Sequence, residues 1–211
     1  MLTLLSPELE DYAFRHTRPE PRELAELEAR TYASMQDPQM LTGRVEGRFL
    51  KLLARMLRPK LVVEVGTFTG YSALSMAEAL EDGARLITCD IDPDAAEVAR
   101  AAFAASPHGK KVELRLGPAI DTLRALTEPV DLSFIDADKT GYDAYYEELV
   151  QRTRSGGVIV LDNMLQSGRV LAPSTDASRA IHALNEKLAR DERVENVLLA
   201  IRDGVQLVVK R

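Results

Sequence analysis

Short apolar runs alternate with amphipathic stretches along most of the chain. Five runs rich in Val, Ile and Leu have the length of buried strands: residues 61–65, 85–90, 112–116, 130–136 and 157–162. The stretches between and after them have apolar residues at helical spacing: 72–80, 94–105, 119–126, 142–153 and 177–190. Strands that alternate with helices in this way are typical of a parallel, doubly wound sheet with helices on both faces.

Both ends of the chain depart from this alternation. Residues 1–39 are polar, and beyond Pro21 two amphipathic stretches, 22–35 and 45–57, predict helices. At the other end, the runs 194–201 and 205–210 flank an Asp-Gly pair, which signals a hairpin. We therefore predict an α/β fold: a Rossmann-like, doubly wound sheet of seven strands, mostly parallel, with an antiparallel strand from the C-terminal hairpin. Residues 1–211 would form a single domain, in which a helical segment, 1–58, covers the site built by the core, 59–211.

Composition narrows the class of protein. Of the 211 residues, 45% are hydrophobic and 28% are charged, which is typical of a globular chain. The net charge of −6 provides no basic field for nucleic acid or anionic lipid, so we expect neither as a partner. The single cysteine, Cys89, lies in an apolar run and is interpreted as a buried hydrophobe. We find no secretory signal and no apolar stretch of ~20 residues, so we expect a cytoplasmic protein.

Acidic residues lie at or near the ends of four predicted strands. They are Glu64, Asp90, Asp136 and Asp162. One such acid is as often a helix cap as a ligand group. In open α/β sheets, however, ligands bind beyond the carboxyl ends of the strands, where all four would converge. The four acids together therefore favour a binding site over four separate caps.

The first strand runs into a loop with two glycines, Gly66 and Gly70. Their Gly-x-x-x-Gly spacing is not the Gly-x-Gly-x-x-Gly of nicotinamide dehydrogenases, and no Gly-Lys-Ser/Thr ending marks a phosphate loop. Asp90, at the tip of the second strand, stands where such folds hold ribose hydroxyls. A pocket that contains Glu64 and Asp90 suits a positively charged sulfonium better than a pyrophosphate. These features favour an adenosine-containing ligand.

A second group of polar residues follows the fourth and fifth strands. Asp136, Asp162 and Asn163 would offer three oxygen ligands in a small volume, because neighbouring strands lie only ~5 Å apart. Close carboxylates repel each other unless a cation lies between them, and oxygen ligands suit Mg²⁺ or a similar hard cation. The alternative is that Asp162 and Asn163 only cap a turn. Lys139 could accept a proton beside this site, or it could be an exposed lysine paired with Asp138.

These motifs resemble those of the metal-dependent O-methyltransferases that use S-adenosylmethionine, the family of catechol and caffeoyl-CoA O-methyltransferases and their bacterial relatives. The resemblance extends from about residue 40 to residue 211. The motifs that carry it are Glu64-Val65-Gly66-Thr67-Phe68-Thr69-Gly70-Tyr71-Ser72, Asp90-Ile91-Asp92-Pro93, Gly117-Pro118-Ala119, Phe134-Ile135-Asp136-Ala137-Asp138-Lys139 and Asp162-Asn163 followed by Ser167-Gly168.

The resemblance implies a role for each residue that matches the family pattern. It implies S-adenosylmethionine as cofactor and a divalent cation, Mg²⁺ first, with Ca²⁺ and Mn²⁺ as alternatives. Lys139 would be the general base, and Asp136 would take part in catalysis as a metal ligand together with Asp162 and Asn163. The residues implied in cofactor binding are Thr42, Glu64, Gly66, Thr67, Ser72, Asp90, Ala119 and Asp138.

The same resemblance implies a small phenolic acceptor with vicinal hydroxyls and a homodimer. One departure affects the acceptor: the family usually has a tryptophan lining the acceptor pocket three residues after the Asp-Asn pair, and this chain has Gln166. Two rival readings stay open, a non-catalytic or different-acceptor protein that binds S-adenosylmethionine and a methyltransferase of nucleic acid. The acidic charge and the absence of an aromatic-basic patch disfavour the second.

Overall fold

The structure is a computed structural model that describes residues 5–211. One seven-stranded sheet runs through it, in the order β3-β2-β1-β4-β5-β7-β6. The strands are β1 Leu61–Val65, β2 Arg85–Asp90, β3 Val112–Leu116, β4 Val130–Ile135, β5 Thr153–Leu161, β6 Val194–Leu199 and β7 Val205–Lys210. β1 to β5 pair in parallel, whereas β7 is antiparallel to both β5 and β6. The predicted α/β fold with its one antiparallel strand is confirmed.

Eight α-helices surround the sheet within the described residues. They are α1 Pro7–His16, α2 Arg22–Ser34, α3 Gly43–Leu57, α4 Tyr71–Ala77, α5 Pro93–Ala105, α6 Ala119–Ala125, α7 Tyr142–Arg152 and α8 Asp176–Leu188. Among residues 5–211, no helix has the length and apolar character needed to cross a bilayer.

The central strands are apolar on both faces because each face is covered by helices. On one face, Val62, Leu86 and Leu132 pack with residues of α2 to α5. On the other face, the alternate strand residues, such as Val63 and Ile87, pack with residues of α6 to α8. Two cores on opposite faces of one sheet explain why the sequence has continuous apolar runs instead of alternation. Cys89 is buried in the second core, as predicted.

The structure differs from the sequence prediction in two elements. Helix α1 was not predicted, and none of its residues is buried, so no apolar face marks it in the sequence. β5 begins at Thr153, four residues before the predicted start, because a register shift opposite Val130 and Leu132 lets its first residues join the sheet.

Candidate active site

A cavity of about 860 Å³ opens at the carboxyl ends of β1, β2, β4 and β5. A volume of this size suits a small-molecule ligand. Residues 39–42, which precede α3, line part of it. Every predicted site residue except Glu64 lines it: Thr42, Gly66, Thr67, Ser72, Asp90, Ala119, Asp136, Asp138, Lys139, Asp162 and Asn163. The topology therefore brings together residues spread over more than half of the sequence.

Gly66 allows the tips of β1 and β4 to approach each other closely. Its φ of +98° is in the region that favours glycine, and a Cβ atom on it would lie 1.9 Å from the backbone oxygen of Asp136. The backbone N–H of Asp136 donates to the Val65 oxygen at 2.8 Å, which links the two tips. The glycine therefore sets where Asp136 enters the cavity.

Asp90 fixes the loop between β1 and α4. Its Oδ2 accepts hydrogen bonds from the backbone N–H groups of Thr67 (2.9 Å) and Phe68 (2.6 Å), and its Oδ1 accepts one from Asp92 (2.9 Å). The sequence analysis placed this acid against ribose hydroxyls. In the structure it also shapes the loop. Oδ2 already accepts two hydrogen bonds, whereas Oδ1 has a second lone pair for a ligand.

Glu64 lies beneath the wall of the cavity and is fully buried. Its Oε2 accepts a hydrogen bond from the Thr88 hydroxyl at 2.5 Å. Among the described residues, Oε1 has no hydrogen-bond partner of normal geometry, although the Ser72 hydroxyl is close enough to lower the pKa. Burial dominates and raises the pKa of Glu64 from 4.5 to about 8. An unpaired, buried carboxyl oxygen of this kind suits a cationic group of a ligand.

Asp136, Asp162 and Asn163 meet at the tips of β4 and β5. Ile135 pairs with Leu161 in the register of these strands, so the residues that follow them are neighbours. The backbone N–H of Asp162 donates to the Ile135 oxygen at 3.0 Å, and that of Asn163 donates to Asp162 Oδ1 at 2.7 Å. Asn163 has a φ of +56°, a left-handed conformation in which asparagine is enriched. The three predicted metal ligands therefore line one wall of the cavity.

The carboxyl group of Asp162 is in an electrostatically unfavourable position. It is 2% exposed, and burial, followed by the negative charges of Glu46 and Asp136, raises its pKa well above the usual value. A bound cation would relieve this repulsion. The described residues contain no group of three or more His, Cys, Asp or Glu side chains that could hold a metal, so any cation here would depend on the Asn163 amide and on oxygens from outside the protein.

Lys139 lies beside this group and contacts Asp136, not Asp138. Its Nζ donates to Asp136 Oδ1 at 2.9 Å and to the hydroxyl oxygen of Tyr142 at 2.6 Å. The Asp138 carboxylate instead accepts a hydrogen bond from Tyr145 at 2.7 Å. The alternative pairing of Lys139 with Asp138 is therefore not found, and the ammonium group faces the predicted metal site.

Sequence reasoning missed three residues of this site. Tyr142 is fully buried, and its hydroxyl lies 3.1 and 3.2 Å from the backbone oxygens of Ile135 and Asp162. Glu46 of α3 is also fully buried and pairs with Arg202. Glu46 is four residues before Leu50 on the apolar side of α3, which was a signal of burial, whereas nothing near Arg202 pointed to the site.

Gln166 stands at the position of the usual tryptophan but does not line the cavity. Its side chain is buried, it is absent from the cavity wall, and its Nε2 donates to the Asn163 backbone oxygen at 2.9 Å. Gln166 therefore supports the loop of Asn163 from outside the cavity. At this position the chain therefore offers no side chain to the cavity.

Comparison with known proteins agrees with this arrangement. Residues 15–211 match the family model described as O-methyltransferase. Probable caffeoyl-CoA O-methyltransferase 1 of Dictyostelium discoideum is 41% identical over 81% of this chain and 78% of its own length. Catechol O-methyltransferase domain-containing protein 1 of Mus musculus is 35% identical over 98% of this chain and 82% of its own length. A solved O-methyltransferase from Bacillus cereus, in complex with SAH, has a TM-score of 0.89 at 28% identity and 97% coverage of both chains.

Proposed function

We propose that this chain, which belongs to the O-methyltransferase family, methylates one hydroxyl of a catechol-like small molecule with the help of a divalent cation. The family match and the relatives establish that it is an O-methyltransferase, as the sequence predicted. The finer proposal depends on one observation: Asp136, Asp162 and Asn163 share a cavity wall with Lys139, beside a loop suited to S-adenosylmethionine.

Three features support S-adenosylmethionine as the cofactor. The relative from Bacillus cereus is in complex with SAH, which is S-adenosylmethionine without its transferable methyl group. Asp90 Oδ1 can accept one further hydrogen bond from a ribose hydroxyl, and the unpaired Oε1 of Glu64 suits the ammonium group of the methionine part. When bound, the cofactor supplies a sulfonium whose methyl carbon bonds to the acceptor oxygen as the carbon–sulfur bond breaks.

The residues at the tips of β4 and β5 fit a hard divalent cation. Mg²⁺ takes oxygen ligands and usually keeps several positions for water or substrate, so two carboxylates and one amide are a sufficient protein share. A bound divalent cation would lower the pKa of a phenolic hydroxyl, which is near ~10 in water. Asp136, Asp162 and Asn163 would hold it, and the repulsion at Asp162 favours its binding.

The chain's own residues then handle the proton and the position of the acceptor. Lys139, whose Nζ donates hydrogen bonds to Asp136 and Tyr142, would act as the general base that takes the acceptor's hydroxyl proton. Residues 39–42 line the cavity and would shield a bound cofactor from water. Correct positioning of two reactants can lower a barrier by ~7–11 kcal/mol in favourable cases, so most of the catalysis would come from placement.

The acceptor class is best tested by direct transfer. We would incubate the protein with methyl-labelled S-adenosylmethionine, Mg²⁺ and paired aromatics that differ only in having one hydroxyl or two adjacent ones. We expect label in the vicinal diols and little in the single phenols, because only a diol can offer two oxygens to one cation. Equal labelling of single phenols, or none of any diol, would contradict the proposal. The homodimer stays a prediction from the resemblance, and the cytoplasmic location stays a prediction from the sequence.

A further inference from the structure

The turn between β6 and β7 contacts two parts of the site that are distant in sequence. Arg202 of this turn extends its side chain to the start of α3, some 160 residues earlier. Asp203 and Gly204 contact the loop that follows β5 and carries Asn163. In the sequence, this turn is visible only as a hairpin signal. It has no role in the chemistry proposed above.

On one side, Arg202 binds Thr42, the last residue of the segment 39–42 that lines the cavity. One terminal nitrogen of its guanidinium donates to the Thr42 backbone oxygen and to the Glu46 carboxylate. Glu46 is fully buried and the Arg202 side chain is 11% exposed, so water screens this pair poorly. Within residues 5–211, no other hydrogen bond links residues 37–42 to the sheet or its loops.

On the other side, the turn binds the loop that carries the proposed metal ligand. The backbone N–H of Met164 donates to the Gly204 oxygen at 2.9 Å, and that of Leu165 donates to the Asp203 oxygen at 2.8 Å. The Asp203 side chain accepts from the Ser167 backbone N–H at 2.5 Å. Gly204 has a φ of +88°, and a Cβ on it would lie 2.5 Å from Leu165 Cγ, so the turn and the loop are in close contact.

We propose that Arg202 is a positioning residue, which holds residues 39–42 over the cofactor cavity and fixes them relative to the loop of Asn163. Residues 39–42 and the loop of Asn163 would then move as one unit. Arg202 and Thr42 both line the cavity, so a change in their contact would alter the cavity itself. This inference rests on the proposed assignment of the cavity to S-adenosylmethionine.

Loss of Arg202 would have two effects that must be separated. It would release the Thr42 carbonyl, and it would leave the Glu46 carboxylate buried without its cation, which destabilises a fold by itself. The variant R202M tests both effects, and R202M/E46Q removes the buried charge while leaving Thr42 unheld. R48M is the matched control. Arg48 lies on α3, the helix that carries Glu46, and it pairs with Glu78 at 2.7 Å, away from the cavity.

The measurement is the affinity for S-adenosylhomocysteine by calorimetry in excess chelator, so that the proposed metal plays no part. Thermal unfolding of each variant is recorded alongside. We expect R202M and R202M/E46Q to bind about tenfold more weakly, the size expected for a lost hydrogen bond to a charged group, and R202K to lose less. The KM for S-adenosylmethionine should rise with the dissociation constant, whereas R48M should lose only thermal stability.

Four outcomes would overturn the proposal or its basis. Unchanged affinity in R202M, or full recovery in R202M/E46Q, would mean that Arg202 only neutralises Glu46. An equal loss of affinity in R48M would make the effect one of general stability. If the wild-type protein itself did not bind S-adenosylhomocysteine, the cofactor assignment would fail and this inference with it.

Discussion

At the scale of single residues, Glu64 makes the stability of the protein depend on pH. Its pKa is raised to about 8 in the fold, against 4.5 for an unperturbed glutamate, mainly because it is buried. Between about pH 4.5 and pH 8, the Glu64 carboxyl therefore keeps its proton in the folded state and has released it in the unfolded state. The resulting stabilisation is complete below about pH 4.5 and is lost as the pH rises through about 8.

The E64Q variant isolates this contribution, because glutamine stays neutral. We expect the free energy of unfolding of E64Q minus that of wild type to increase steadily between pH 5 and pH 8, because only wild type loses stability over this range. Urea unfolding of both proteins across this range measures the difference, and titrations that they share cancel. A difference that does not change with pH would contradict the buried, protonated state of Glu64.

Asp136 is the residue whose loss should separate catalysis from cofactor binding. We expect D136N to lower the rate of methyl transfer by about 100-fold or more, since it removes a charged ligand from the proposed cation. Calorimetry should show affinity for S-adenosylhomocysteine close to that of wild type. D143N serves as the control, because Asp143 is exposed and pairs with Lys187 on the surface. A parallel loss of cofactor affinity in D136N would argue against separate roles.

The sequence predicted the residues of this site that follow strands, because strand ends are visible in an apolar pattern. It did not reveal Arg202 or its pairing with Glu46, since the two are 156 residues apart and meet only through the packing of α3. Side chains that reach a site through tertiary packing leave no local pattern in the sequence.

At the scale of elements, the approach of β1 to β4 depends on Gly66. We expect G66A to unfold at much lower temperature and to lose S-adenosylhomocysteine binding, because its Cβ would lie 1.9 Å from the Asp136 oxygen. Strain of this kind costs roughly 1–3 kcal/mol for the backbone alone, before the clash is counted. Thermal unfolding and calorimetry measure both effects.

Gly83 offers a matched control for this substitution. It has a similar φ of +84°, but a Cβ there would meet nothing within 4 Å. G83A should therefore show only the backbone strain and keep full cofactor binding. Similar losses in G66A and G83A would mean that the close approach of the strands has no special importance.

Elements were most predictable where burial requires apolar residues, as in the central strands β1, β2, β4 and β5. β3 and β6 are largely exposed and were identified only from their short apolar runs. Helix α1 escaped because it buries nothing, and the early start of β5 escaped because it depends on a register shift with β4.

At the scale of the whole molecule, both ends of the chain complete a site that the central strands begin. β7 inserts between β5 and β6 and brings the β6–β7 turn to the cavity, where it meets the segment before α3. The sequence predicted the hairpin and the helical segment but not their meeting. The fold alone would not define the reaction, because this type of sheet serves many chemistries. The family and the side chains at the strand tips narrow it to methyl transfer.

The rate of methyl transfer to a catechol in excess chelator, before and after Mg²⁺ is restored, tests the central claim most directly. Two carboxylates and an amide that share one cation should leave the chelated protein unable to methylate, although it still binds S-adenosylhomocysteine. Added Mg²⁺ should bring the activity back. An undiminished rate in chelator would contradict the account.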